Sequence, residues 1–201
     1  MTGPEFESEI ERLFGERLEP MLAPGVVLER QHNANTRVGN FRFDFYVVAG
    51  GERIAIECDG AEFHDAGRDE WRDAATLGDG VVDVVVRVPG YGIVHRLDDS
   101  MAVLAHWYPA IFSERGRRLA EGKSSAAFVR WSRGEEASSN IASIRYADER
   151  PGFHLRIERQ GFGFTRAVFW TTCYGFMLQH PGLRLDEVIA AYRSDSPWRA
   201  A

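Results

Sequence analysis

The sequence predicts an α/β fold whose elements follow one another in the order α-β-β-β-α-β-α. Three observations predict it: apolar residues at helical spacing near the start, an aromatic hairpin folded at Gly50-Gly51, and a β-branched run that follows a short helix. The chain has 201 residues, 44% of them hydrophobic, which suffices for one good core or for one domain with a small appendage.

The first helix is predicted from the segment FESEIERLFGERLEP, in which Pro20 marks the end. Its apolar residues recur at spacings of three and four, so they line one face of a helix whose other face is acidic. These apolar residues are Phe6, Ile10, Leu13, Phe14 and Leu18.

Three strands are predicted next, as a meander: VVLERQH, then residues 41–48, then RIAIECD. In the middle strand, apolar and polar residues alternate, which is typical of a strand with one buried face. We expect that buried face to carry Phe41, Phe43, Phe45 and Val47.

The second half of this unit is predicted as a helix over 66–77 and a buried strand over 81–88. Because a helix separates the two strands, a right-handed crossover should lay 81–88 parallel to 53–59. A further helix over 97–121 is expected to bend or break at Pro109, since proline donates no hydrogen bond and its ring clashes with the preceding turn.

The domain organisation is predicted from the composition of the later segments. Residues 122–140 are rich in glycine, serine and charge, which favours a linker between a domain over 1–121 and a small α+β module over 141–201. Within the module, the strands IASIRY, FHLRIERQ and FTRAVFW and helices over 172–179 and 185–193 are expected.

Composition excludes several classes of protein. No apolar run approaches the roughly 18 to 20 residues of a membrane helix, and the acidic start lacks the features of a signal peptide, so we expect a cytoplasmic protein. Cys58 and Cys173 are too few for a disulfide framework and are expected as reduced thiols. Lys123 is the only lysine, which disfavours catalysis by lysine elsewhere. The net charge of −6 disfavours indiscriminate nucleic-acid binding but permits a local site where metal ions offset repulsion.

Carboxylates stand inside the predicted hairpin. If Gly50-Gly51 is a two-residue turn, Asp44 faces Glu57 across the strand pair. Like charges at that separation destabilise a hairpin, and a divalent cation held by both would offset their repulsion. The alternative is an edge hairpin whose carboxylates face solvent and pair with arginines such as Arg42, Arg53 or Arg72.

A set of motifs then resembles a known family. ERQ at 29–31, FRFDFYV at 41–47, IAIECDGAEFH at 54–64, RDEWRDAATL at 68–77 and VVVRV at 84–88 resemble, in order and spacing, the very-short-patch-repair-like branch of the PD-(D/E)XK nuclease superfamily. The resemblance covers about residues 8–108. It implies a restriction-endonuclease-like αβββαβα core with a mixed sheet, followed here by the small C-terminal α+β domain.

The same resemblance implies hydrolysis of phosphodiester bonds, most often in DNA, with Mg²⁺ or Mn²⁺ as cofactor and nucleic acid as partner. It places Asp44 at the metal-binding aspartate and Glu57 at the first acidic position of the (D/E)-x-K element. Asp59 occupies the usual lysine position, a departure that leaves the group that activates water open. His64 is the candidate general base, with a surface histidine as the alternative.

Further residues have supporting roles by this resemblance. Glu11 fits the first-helix glutamate, with Glu9 and plain helix solvation as competing readings. Asp69, Arg72 and Asp73 match a D-x-x-R-D pattern in which Arg72 can clamp a carboxylate or a phosphate. Gln31 and Arg87 are candidates for phosphate contact, with packing or ion pairing as the alternative.

The C-terminal segment is similar to a KTSC-type module in its serine- and tyrosine-bearing strand, although the module's lysine has no match here. Its arginines alternate with aromatic residues, a mixture that can neutralise phosphates and stack on bases. The arginines are Arg145, Arg156, Arg159 and Arg166. The alternative is a small aromatic core with the arginines on a solvated face.

Two other functions stay open from the sequence. One is a protein that keeps the nuclease fold and binds nucleic acid or a partner without cleavage, as the missing lysine permits. The other is an interaction protein whose acidic hairpin docks a basic partner. A homodimer is left open, and no membrane partner is expected.

Overall fold

The computed structural model describes most of the first 159 residues of the chain. The described residues are 6–36, 39–60, 72–73, 75–125, 128–133, 140–148, 150–159 and 182. Among them, no helix has the length and apolar character needed to cross a membrane.

Four helices occur in the described part. Helix α1 spans Glu9–Leu18, α2 is described over 72–73 and 75–78, α3 spans Gly90–Trp107, and α4 spans Glu114–Lys123. Short 3₁₀ helices follow α1 and α3, each with a proline in its first turn. The predicted break at Pro109 is confirmed, because the chain leaves α3 there and re-enters a helix only at α4.

Seven strands form one mixed sheet in the order β1-β2-β3-β4-β7-β6-β5. The pair β3 and β4 is parallel and every other neighbouring pair is antiparallel, so the predicted crossover and the α/β class are confirmed. The strands are β1 Val27–Thr36, β2 Gly39–Ala49, β3 Glu52–Asp59, β4 Val84–Pro89, β5 Phe128–Arg133, β6 Asn140–Arg145 and β7 Phe153–Arg159.

The turn between β2 and β3 has the predicted geometry. Gly50 and Gly51 both have positive φ, 61° and 84°, which glycine adopts without strain and which a two-residue hairpin turn of this hand requires. The register that follows places Phe45 opposite Ile56 and Val47 opposite Ile54, as predicted.

The core lies on both faces of the sheet. One face packs under α1 and α3 and contains Phe45, Val47 and Ile56. The opposite face packs under α2 and contains Phe43 and Ala55. The prediction that Phe41, Phe43, Phe45 and Val47 share one face is therefore wrong, since the alternation of β2 is interrupted between Phe43 and Phe45.

Two further predictions need correction. Helix α3 has a kink at Arg96, with φ −144° and ψ 37°, so the predicted start at Leu97 coincides with the helical segment after the kink, and the helical segment from Gly90 to the kink is additional to the prediction. Glycines near the start lower helix propensity, but Gly92 fits there because a Cβ would meet the Phe153 ring at 2.6 Å.

The predicted linker over 122–140 contains the end of α4 and the strand β5, which pairs with β6. Since β7 pairs with β4, the sheet runs without interruption from the predicted first domain into the predicted module. The expected strand FTRAVFW and the helices over 172–179 and 185–193 lie outside the described residues.

Candidate functional site

Asp44 lies at a break in the sheet. The pairing of β1 with β2 skips Gln31, the residue opposite Asp44, and Gln31 has a φ of 50°. The pairing of β2 with β3 stops at Phe45 and Ile56. Beyond that point the Asp44 side chain joins the two strands, because its Oδ2 accepts a hydrogen bond from the Cys58 N–H at 2.7 Å. The carboxylate thus occupies the space between separating strands.

The surroundings of Asp44 disfavour its anion. Burial raises its pKa to about 6; the Cys58 N–H and Arg72 act in the opposite direction, while the carboxylates of Glu11 and Asp59 raise it further. One amide donor does not compensate for the lost hydration and the neighbouring negative charge. A bound cation would therefore stabilise the ionised form of Asp44.

Glu57 is the most perturbed acid of the site, with 5% of its surface exposed. Burial raises its pKa to about 8, with Asp44 adding to the rise and Arg72 opposing it. The Arg72 guanidinium from α2 lies 2.9 Å from Glu57 Oε2. Glu57 Oε1 is buried and has no hydrogen-bond partner among the described residues. A buried carboxylate oxygen without a donor is costly, so this atom marks a position where a ligand would stabilise the fold.

Glu11 connects the first helix to this site. Ser8 caps α1, its hydroxyl accepting from the Glu11 N–H at 3.3 Å and donating to Glu11 Oε1 at 2.8 Å. Glu11 Oε2 accepts from the Gln31 amide at 2.6 Å, which orients the strained Gln31. The competing Glu9 is solvent-exposed and pairs with Arg12. The geometry favours Glu11 as the helix residue of the site.

A buried arginine, Arg87, binds two acids next to the site. Arg87 on β4 has 2% of its surface exposed and forms two hydrogen bonds of 2.8 Å to Asp73, from Nε and from Nη2. Its Nη1 donates to Asp59 Oδ1 at 2.9 Å. Burial acts to lower the Arg87 pKa, but the two carboxylates raise it above its ordinary value. The ion-pair reading thus fits Arg87 better than a phosphate contact, and Arg72 clamps a carboxylate.

The C-terminal arginines differ in position. Arg156 lies opposite Arg87, which lies opposite Glu57, so these three residues form one row across the site's face of the sheet. Arg145 is exposed at the end of β6. The backbone of Arg159 is described within β7. Arg166, His64 and Asp69 lie outside the described residues.

The donor set fits a magnesium-like ion only in part. Within the described ranges, no group of three or more His, Cys, Asp and Glu side chains is placed to hold a metal. Mg²⁺ needs fewer protein ligands, since it binds through one or two carboxylates and keeps several waters. Asp44 and Glu57 supply oxygen donors of that kind, and Glu57 Oε1 has no other described partner. The residues present fit a two-carboxylate site rather than an all-protein cage.

Sequence reasoning missed one buried acid outside this site, Asp99 on α3, which is 3% exposed. Its oxygens accept hydrogen bonds from Ser124 and Ser125 after α4 and from the Tyr146 hydroxyl. Asp99 stands four residues before the buried Val103, so a helical projection would have placed it on the buried face.

Comparison with protein-family models, curated proteins and solved structures finds no match to this chain. The site is therefore interpreted from its own geometry.

Proposed function

We propose that this chain is a metal-dependent nuclease that hydrolyses phosphodiester bonds, in DNA in the first instance, on a restriction-endonuclease-like core. The observation that carries the proposal is the pair formed by Asp44 and Glu57 at the break in the sheet. Both acids have raised pKa values, and Glu57 Oε1 is buried without a described partner. The Arg72 guanidinium compensates these two carboxylates only in part, so a divalent cation would stabilise their charged forms.

The element order supports the same proposal. An acidic helix precedes a meander, and β4 returns parallel to β3, as the resemblance to PD-(D/E)XK nucleases implies. Placement of the acids in the middle of this sheet, and not on a solvated edge, speaks against the simple surface hairpin.

Asp44 and Glu57 would hold Mg²⁺ or Mn²⁺, which supplies charge stabilisation at phosphate and activation of water when bound. The chain's own residues define the rest. The Cys58 N–H fixes the Asp44 carboxylate, and Arg72 fixes Oε2 of Glu57, leaving Oε1 for the ion. Glu11, tied to Gln31, adds a third negative charge beside Asp44. Arg87 pairs with both Asp59 and Asp73 and offsets one of their two negative charges, which reduces the total repulsion.

The direct test measures nicking of plasmid DNA with Mg²⁺ or Mn²⁺. We expect Asp44→Asn and Glu57→Gln each to reduce the rate by at least about 100-fold, because a metal contributes several kcal/mol at the transition state. Glu114→Gln, on an exposed acid of α4, is the matched control and should leave the rate unchanged. Mg²⁺ should also raise the melting temperature of the wild type by mass action, and not that of the double variant. Cleavage that survives both substitutions would remove the assigned site.

The second candidate is a nucleic-acid-binding protein that keeps the fold without cleavage. Two ion pairs favour this function. Arg72 pairs with Glu57 and Arg87 pairs with Asp59, so these guanidinium groups already offset part of the negative charge that a metal ion would otherwise offset. This function predicts binding to DNA in chelator and no cleavage with any divalent metal.

A further inference from the structure

A second polar cluster lies at the end of the sheet where β3 and β4 finish. Asp59, the last residue of β3, pairs with Pro89, directly before α3. The turn between β6 and β7 reaches the same end, since the Phe153 ring packs against Gly92 in the first turn of α3. The turn that carries Tyr146 and Arg150 thus lies at the same end of the sheet as Asp59.

Asp99 fixes the structure of this cluster. Its carboxylate accepts from the Tyr146 hydroxyl at 2.6 Å, from the Ser124 hydroxyl at 2.8 Å and from the Ser125 N–H at 2.6 Å. Because Asp99 is buried and belongs to α3, these bonds hold the end of α4 and the start of the β6–β7 turn against one helix. The cluster is therefore a preorganised surface on packed elements.

Two guanidinium groups lie on the Tyr146 ring, Arg150 at 4.5 Å and Arg96 at 5.2 Å from its centroid. Two cavities adjoin these residues. One, of about 430 Å³, is lined by Arg96 and Lys123 among others. The other, of about 410 Å³, is lined by Arg145, Tyr146 and Arg150. Cationic side chains thus line both cavities.

Arg150 pairs with Asp148 at 2.7 Å, but three other cations of the two cavities differ from most of those elsewhere in the described chain. Arg12, Arg30, Arg53 and Arg87 each pair with a carboxylate. Over the residues whose side chains are described, Arg96, Lys123 and Arg145 form no ion pair, although the whole chain is acidic. Arg96 donates from Nη1 to the His95 carbonyl, and its Nε is buried without a described partner. Arg115 and Arg117, exposed on α4, likewise form no ion pair within the described residues. The two cavities are lined by Asp98, Asp99 and Asp148 as well as by five cationic side chains, so positive charge exceeds negative charge there.

We propose that Arg96, Lys123, Arg145 and Arg150 form a binding surface for the phosphodiester backbone of a nucleic acid. The cations are spread over two cavities and do not converge on one point, which suits successive phosphates of a polymer better than a single phosphate ion. The Tyr146 ring carries two guanidinium groups, so the contacts expected here are with phosphates and are independent of sequence. This inference goes beyond cleavage and holds equally for a chain that binds without cutting.

The test measures binding of a fluorescent oligonucleotide in chelator, over a range of salt concentrations. We expect Lys123→Gln to reduce the slope of log affinity against log salt by about one, and Arg96→Gln with Lys123→Gln by about two, because each phosphate contact releases about one counterion. Two oligonucleotides of unrelated sequence should lose affinity equally. Glu114→Gln, the control of the cleavage assay, should retain the wild-type slope. Because chelator removes the metal, this assay measures binding without cleavage, and the failure of one proposal is separable from the failure of the other.

Arg118→Gln is the matched control, since Arg118 is exposed on α4 and paired with Glu114. Thermal melting verifies that each variant is folded. Lys123→Gln changes an exposed side chain of α4 and leaves the kinked helix α3 unaltered, so it tests binding without a change in the fold. An unchanged slope in the double variant, an equal loss in Arg118→Gln, or displacement of the oligonucleotide by inorganic phosphate at equal phosphate concentration would each overturn the proposal.

Discussion

Glu57 and Asp99 are both buried acids, at 5% and 3% exposure, but their surroundings have opposite effects. Burial opposes both anions. For Asp99, hydrogen bonds from Tyr146, Ser124 and Ser125 outweigh burial and lower the pKa below its ordinary value. For Glu57, one arginine does not outweigh burial and Asp44, and the pKa rises to about 8.

The difference shows which of the two buried carboxylates has its hydrogen-bond donors among the described residues. Neutral donors satisfy Asp99, which links α3, α4 and the segment that follows β6. Glu57 retains an oxygen without a described donor and lies beside further acids. The first arrangement is that of a structural link; the second supports a role in binding a cation.

The largest effect is expected from loss of the Arg87 ion pairs with Asp59 and Asp73. Arg87→Met should destabilise the protein by about 3–5 kcal/mol, because the buried Asp73 loses both hydrogen bonds from the guanidinium that is buried with it. Arg53→Met is the control: Arg53 pairs with Asp83 at 41% and 33% side-chain exposure, and its loss should cost less than about 1 kcal/mol. Urea unfolding measures both. Equal costs would contradict the buried network.

The next effect concerns pH. Glu57 holds its proton more tightly in the folded protein than in the unfolded chain, with a pKa of about 8 against 4.5. Stability in chelator should therefore fall as pH rises from about 4.5 to 8, by on the order of a few kcal/mol in total. Glu57→Gln should flatten this dependence, which unfolding at pH 5, 6, 7 and 8 would detect. An identical slope in wild type and variant would refute the assignment.

The smallest effect concerns Asp99. Asp99→Asn should cost about 1–3 kcal/mol at pH 7, since the amide no longer provides charged acceptors for the donors of Ser124, Ser125 and Tyr146. Because the Asp99 pKa is lowered, its contribution is present above pH 3.8 and is lost as pH falls further. Glu57→Gln, at neutral pH in chelator, should cost less. A larger loss of stability for Glu57→Gln than for Asp99→Asn would contradict the distinction between the satisfied and the unsatisfied buried acid.

Much of the fold could be predicted because it depends on local patterns. The Gly50-Gly51 turn fixed the hairpin register, and the helix between β3 and β4 fixed their parallel pairing. The helical segment of α3 before the kink at Arg96 could not be predicted, because packing of Phe153 against Gly92 overrides low helix propensity. Strand β5 was missed for a similar reason, since pairing with β6 stabilises a segment whose surroundings are polar.

The sequence by itself determined the α/β class, the meander with its turn, and the placing of Asp44 and Glu57 on adjacent strands, since spacing and periodicity encode these. Only the tertiary structure decided the separation of the strands at Asp44, the contact of Glu11 with Gln31, the Arg87 ion pairs and the Asp99 link. The physical reason is that burial and hydrogen-bond partners set the charge and geometry of an acid, and residues distant in sequence supply them.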